Sequence, residues 1–107
     1  MEDIIIKQKM RPVHPGEILR EEFILPLGMT PNALSIELCV PASRINEVVR
    51  ERRGITTDTA LRLARFFNTT PQFWLNLQTS FDLKQTEMAV GDKIEHEVHP
   101  FYAAALL

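Results

Sequence analysis

Residues 30–49 read TPNALSIELCVPASRINEVV, and the spacing of apolar residues in that stretch decides the fold. Leu34 and Leu38 are four apart, Ile45 and Val48 are three apart, and the run between them breaks at Cys39. Residues at those separations share one face of an α-helix, so the stretch predicts two short helices packed through their apolar faces, with Val40 plugging the corner. Ser35 falls where the helices approach most closely, and a longer side chain there would push them apart. The predicted unit is a helix-turn-helix, whose second helix is a shape that fits a DNA major groove.

Helix boundaries on both sides are marked by prolines and small polar residues. His14 and Pro15 precede GEILREEFIL, where Leu19 and Phe23 are four apart and acids fill the gaps. This predicts a first helix from 15 to about 25, stopped by Pro26 and turned by Gly28. Thr30-Pro31 and Thr70-Pro71 each set a capping hydroxyl before a proline whose missing N–H costs nothing at the first helical position; they open the second and fifth helices. The third runs from Pro41 to about Arg50, and Arg53 and Gly54 end its periodicity. Thr56 or Thr57 caps the fourth, Asp58 complements its dipole, and Ala60, Leu61, Ala64 and Phe67 follow at helical spacing. Nothing between Pro15 and Phe81 alternates with period two, so the expected fold is all-α, with five short helices.

A chain of 107 residues with 45% apolar content supports one globular domain with a real core. Within it the expected organisation is an N-terminal arm over 1–12, the helix-turn-helix domain over 13–84, and an extension over 85–107 that is acidic and then apolar. Ile4 to Ile6 is a β-branched run that reads as a small strand or as disorder. Val90, Ile94 and Val98 are spaced for a sixth amphipathic helix, and the closing PFYAAALL is apolar enough to need a partner or a fold-back. The single Cys39 cannot close an internal disulfide, no apolar run approaches the roughly 18 residues that span a bilayer, and MEDIIIKQKM has acids where a secretory signal needs positive charge. The expected location is the cytoplasm.

Net charge is −2, which argues against nucleic acid until its distribution is considered. From Pro41 to Arg65, Arg44, Arg50, Arg52, Arg53, Arg62 and Arg65 face only Glu47, Glu51 and Asp58, a local net of +3, while the remaining residues carry −5. A basic strip therefore starts at the second helix of the motif, where a DNA contact needs it.

Two features suggest chemistry that their surroundings do not support. His96, Glu97 and His99 spell HEVH, one residue short of the zinc-protease spacing and without a third ligand. Cys39 has no sequence companion for nucleophilic catalysis. No metal, cofactor or small-molecule substrate is expected, and no catalytic residue. The aromatic residues Phe66, Phe67, Phe73, Trp74 and Phe81 lack the interleaved basic residues of a base-stacking platform and read as core plus dimer seam.

HPGEILREEF (14–23), the helix-turn-helix, RGITTDTALRLARFF (53–67) and TPQFWLNLQTSFDL (70–83) together resemble the HigA-type antitoxins, also called virulence-associated protein I, in the lambda repressor and Cro-like helix-turn-helix family. The likeness spans about 14–83 and continues weakly through GDKIEHEV (91–98). It implies a five-helix, lambda-repressor-like domain that dimerises, binds a double-stranded operator upstream of its own gene pair, and neutralises a HigB-like toxin, a RelE-fold mRNA endonuclease. Relatives usually have Gly at the turn where this chain has Cys39, and often Ala in place of Ser35. A left-handed Cys costs about 1 kcal/mol relative to Gly.

In that geometry the first turns of the third helix face base edges, so Ala42, Ser43, Asn46 and Glu47, with Arg44 at the flank, are the expected base contacts. Glu47 either accepts from cytosine, orients Arg44 or Arg50, or pairs with Arg50 on a solvated face. Thr30, Asn32, Arg50, Arg52 and Arg53 are expected on phosphates. Phe73, Trp74, Leu77 and Phe81 of the fifth helix, with the tail, are the expected dimer contact. Two other readings fit the same fold: a stand-alone phage-like repressor, and an adaptor that binds protein and not DNA. Acidic surfaces around Glu21 and Glu22, the N-terminal arm and the acidic tail each suit a basic toxin.

Overall fold

Among the described residues, four of the five helix starts are capped by the side chain that the sequence puts just before them. The computed structural model describes residues 11–102. The β-branched run at 4–6 and the last five residues of the apolar tail lie outside them.

Helix α1 spans 15–27 in three pieces: an α-turn Pro15–Ile18, a π-helical stretch Leu19–Ile24, and a last α-turn Leu25–Leu27. His14 caps it, its Nδ1 accepting the Gly16 N–H at 2.9 Å. The widened turn carries the Leu25 N–H back to the Arg20 carbonyl, just before Pro26, which has no N–H and whose ring crowds the preceding turn. Pro26 therefore does not stop the helix as expected; the chain passes it inside the final turn and ends at Gly28, with φ 66°.

Thr30 caps α2 (Pro31–Leu38), Thr56 caps α4 (Thr57–Phe67) and Thr70 caps α5 (Pro71–Glu97), each hydroxyl accepting an N–H three residues on. Helix α3 (Ala42–Val49) opens at Pro41 without a side-chain cap. The five expected helices are all present, and no strand occurs among the described residues.

Helices α1 to α4 end in one way. At each C-terminus a left-handed residue turns the chain, and the next N–H reaches back to a carbonyl inside the helix: Met29 to Ile24, Val40 to Ser35, Arg52 to Glu47 and Thr69 to Ala64. The left-handed residues are Gly28, Cys39, Glu51 and Asn68. The third helix thus turns at Glu51, three residues before Gly54.

The core gathers Leu19 and Ile24 of α1, Leu34 and Leu38 of α2, Ile45 and Val48 of α3, Ala60 and Leu63 of α4, and Trp74 of α5, with Ile55 from the α3–α4 loop. Ser35 is buried at the α2–α3 approach, its hydroxyl donating 2.6 Å to the Asn32 carbonyl, and Val40 packs partly buried at the corner. Gly16 sets the contact of α1 with α3, since a Cβ there would lie 1.8 Å from the Val48 carbonyl oxygen.

Trp74 is 0% exposed, donates 2.8 Å to the Thr69 hydroxyl, and packs among Phe23, Phe67 and Phe73. Truncating so large a buried ring costs about 3–5 kcal/mol. This corrects its expected place in a dimer contact: the indole has no surface to offer a second copy.

The separate sixth helix is also corrected. Residues 71–97 form one helix of 27 residues, because no proline interrupts it and the lone Gly91 costs only about 1 kcal/mol. It ends as the chain approaches Pro100, with Val98 already extended at φ −106° and ψ 113°. Its second half is exposed and carries the molecule to 58 Å in its longest dimension.

Candidate nucleic-acid interface

Helix α3 buries Ile45, Val48 and Val49 and turns Ala42, Ser43, Asn46, Glu47 and Arg50 outward. The buried positions repeat at three and four residues, which leaves the opposite positions as a continuous outward face. Ala42, Ser43 and Arg50 are exposed, and Asn46 and Glu47 are half-buried against neighbouring side chains.

Three neighbouring helices hold this face. From α1, Arg20 donates to the Val49 carbonyl at the end of α3 and lies 3.4 Å from Glu51 just beyond it. From α2, the Asn32 carboxamide oxygen accepts from Asn46 Nδ2 at 2.7 Å. From α4, Asp58 accepts from Arg44 at 2.5 Å and from Arg62 at 2.9 Å through the same carboxylate oxygen. Arg62 also donates 2.9 Å to the Leu38 carbonyl at the C-terminus of α2, so one side chain ties α4 to the end of the motif's first helix. Hydrogen bonds from Arg62 and then Arg44 hold the Asp58 carboxyl below its usual range.

The pairing differs from expectation at Arg44 and Arg53. Arg44 lies on the α4 side, bonded to Asp58. Glu47 pairs with Arg53 at 3.0 Å and not with Arg44 or Arg50. Arg50 and Arg52, both exposed, have no ion-pair partner among the described residues. At the start of α2, Pro31 has no N–H, the Ala33 N–H is taken by Thr30 Oγ1, and the Leu34 N–H goes to the Thr30 carbonyl. Only the Asn32 N–H remains to donate outward, together with the Thr30 hydroxyl proton.

Of the expected dimer residues, Phe73 is 38% exposed, Leu77 is partly buried against the core, and Phe81 is half-buried with its ring 4.8 Å from that of His14. Beyond Phe73, the exposed apolar side chains of α5 come later, at Leu83, Met88, Val90 and Ile94. Sequence reading did not single out Arg20 or Asp58 as supports of α3, nor Arg62 as the tie from α4 to the end of α2. Their partners are 29, 14 and 24 residues away, and no local spacing signals such pairs. Around the HEVH segment the structure brings no third donor, and no metal-binding cluster occurs among the described residues.

A second helix of the motif braced on three sides, exposed along one face and flanked by arginines without an ion-pair partner among the described residues, has the architecture of a helix-turn-helix regulator. Residues 19–74 match the helix-turn-helix family. The chain is 58% identical to virulence-associated protein I of Dichelobacter nodosus over 76% of this chain and 75% of that one. Among solved structures it is similar to Pseudomonas aeruginosa antitoxin HigA with the higBA promoter, at 49% identity and a TM-score of 0.84, covering 86% of this chain and 100% of that chain. It is also similar to antitoxin GraA in complex with its operator, at 49% identity and a TM-score of 0.83, covering 87% and 94%. The chain belongs to the helix-turn-helix family and, within it, to the HigA antitoxins. Among the described residues no helix is long and apolar enough to cross a membrane.

Proposed function

We propose that this chain is the antitoxin of a toxin–antitoxin pair, a homodimer that represses its own operator and neutralises a HigB-like mRNA endonuclease. The observation that carries the DNA-binding half is the outward face of α3, held by α1, α2 and α4 beside the unpaired Arg50 and Arg52. The two promoter and operator complexes among the similar structures support it. Membership of the HigA antitoxins supports the toxin partner.

Ala42, Ser43, Asn46 and Glu47 read base edges. Arg44 joins them only by exchanging Asp58 for a base, and Arg53 reaches phosphate by releasing Glu47. Thr30, Asn32, Arg50 and Arg52 meet the backbone. The dimer contact uses Phe73 and Leu77 together with the exposed stripe that follows them on α5. A protein that works on DNA and against an mRNA endonuclease acts in the cytoplasm.

Footprinting on the chain's own upstream DNA tests the repressor reading, with specific protection expected at a palindromic site. Arg52→Ala should weaken all sequences alike and lower the slope of log affinity against log salt by about one. Unchanged affinity and slope would remove Arg52 from the phosphate contacts. Co-expression with the neighbouring toxin gene tests the second half: growth should be restored, and the two proteins should co-purify.

A further inference from the structure

The carboxamides of Asn32 and Asn46 join α2 to α3 in a way that restricts what either can say to DNA. Asn46 Nδ2 donates twice, 2.7 Å to Asn32 Oδ1 and 2.9 Å to the Ala42 carbonyl. A carbonyl only accepts, so the Ala42 bond fixes which end of the Asn46 amide faces its own helix, and Asn32 must then turn its oxygen toward Asn46. What remains is one acceptor, Asn46 Oδ1, and one amide donor, Asn32 Nδ2, on two residues already joined by a hydrogen bond. Asn32 is exposed and Asn46 half-exposed.

With both Nδ2 protons committed, Asn46 alone cannot make the donor-plus-acceptor contact that a single asparagine makes to adenine. Nor does a phosphate satisfy its oxygen, because a phosphodiester has no proton to give. In the major groove only adenine N6 and cytosine N4 donate. Adenine alone also carries, on the same ring edge, an acceptor for Asn32 Nδ2, namely N7. We infer that Asn32 and Asn46 act as one composite reader of adenine, Asn46 Oδ1 accepting from N6–H and Asn32 Nδ2 donating to N7. This rests on the operator binding proposed above, and it moves Asn32 from a backbone contact to a base contact.

The test uses the full chain and its own promoter fragment, with each base pair of a half-site substituted in turn. Wild type should prefer adenine at one position by roughly 10- to 100-fold, and Asn46→Ala and Asn32→Ala should each erase that preference while leaving other positions unchanged. At that position 7-deazaadenine, which lacks N7, should weaken wild type but not Asn32→Ala. Purine, which lacks the N6 amino group, should weaken wild type but not Asn46→Ala. Thermal melts of both variants should fall by only a few degrees, the cost of an exposed hydrogen bond between α2 and α3, so that a loss confined to one base position reports on recognition. Equal weakening of every sequence by Asn32→Ala would overturn the composite reader while leaving operator binding intact, as would loss of a cytosine preference in Asn46→Ala. Failure of wild type to retard its promoter would overturn operator binding itself.

Discussion

Cys39 occupies a backbone position that glycine fills at no steric cost. Its φ of 59° and ψ of 45° are left-handed, and its N–H and that of Val40 close the end of α2. The side chain is exposed, so nothing in its packing offsets the strain. Cys39→Gly should therefore raise stability by about 1 kcal/mol in chemical denaturation, with operator affinity retained. His14 is the residue whose chemistry ties stability to pH. Burial holds its pKa below the ordinary 6.5, and its Nδ1 caps α1 by accepting, which a ring protonated at that nitrogen cannot do. The folded state thus takes up the proton less readily than the unfolded one. Stability from this residue is full above about pH 6.5 and is lost as pH falls from there toward the depressed folded value. Glu17 and Asp58, whose pKa values are also lowered, lose their contributions only below the usual carboxylate range. A melting-temperature drop between pH 7.5 and 5.5 should therefore shrink in His14→Asn, which keeps a capping oxygen without a titrating ring.

Among the elements, α3 depends most on its neighbours. Eight residues make an isolated helix marginal in water, so its angle is set by what holds it. Arg20 holds the C-terminal end of α3, donating to its last carbonyl and facing Glu51. Arg20→Ala should lower stability by about 1–2 kcal/mol, and it should weaken operator binding at every base position although Arg20 contacts no base. Gel retardation and urea denaturation on the same variant measure both effects. The helix starts were legible because each is a local device: Thr30, Thr56 and Thr70 stand where a capping hydroxyl is needed, and Pro31 and Pro71 follow two of them. The ends were less so. Four residue types, Gly28, Cys39, Glu51 and Asn68, perform one left-handed turn, and only glycine announces it in sequence. For the interface, the outward positions of α3 followed from its period, whereas the pairings of Arg44, Glu47 and Asn46 required knowing which helices lie beside it.

At the scale of the whole molecule, α5 serves two roles along its length. Its first turns carry Trp74 into the core, and its second half leaves the globule with Met88 71% and Ile94 48% exposed. Leu83, Val90 and Ile94 follow at intervals of seven and four, one stripe on one face. A symmetric dimer built on that stripe would hide it. Val90→Asp combined with Ile94→Asp should convert the protein to a monomer in light scattering and weaken operator binding, and the melting temperature should lose only the share that dimerisation adds and become independent of protein concentration, because neither residue belongs to the core. A dimer that survives the double change would move the contact back toward Phe73 and Leu77.

The sequence by itself determined the helices and their order, the helix-turn-helix, and which positions of α3 face outward, because caps, prolines and apolar periods act within a few residues. Tertiary structure decided the rest: that Trp74 is core and not seam, that Gly16 lets α1 touch α3, and that Arg20, Asn32 and Asp58 hold α3 from three sides. The contacts of α3 join residues 14 to 32 positions apart and Trp74 packs on Phe23, 51 positions away; only the packed core specifies such meetings.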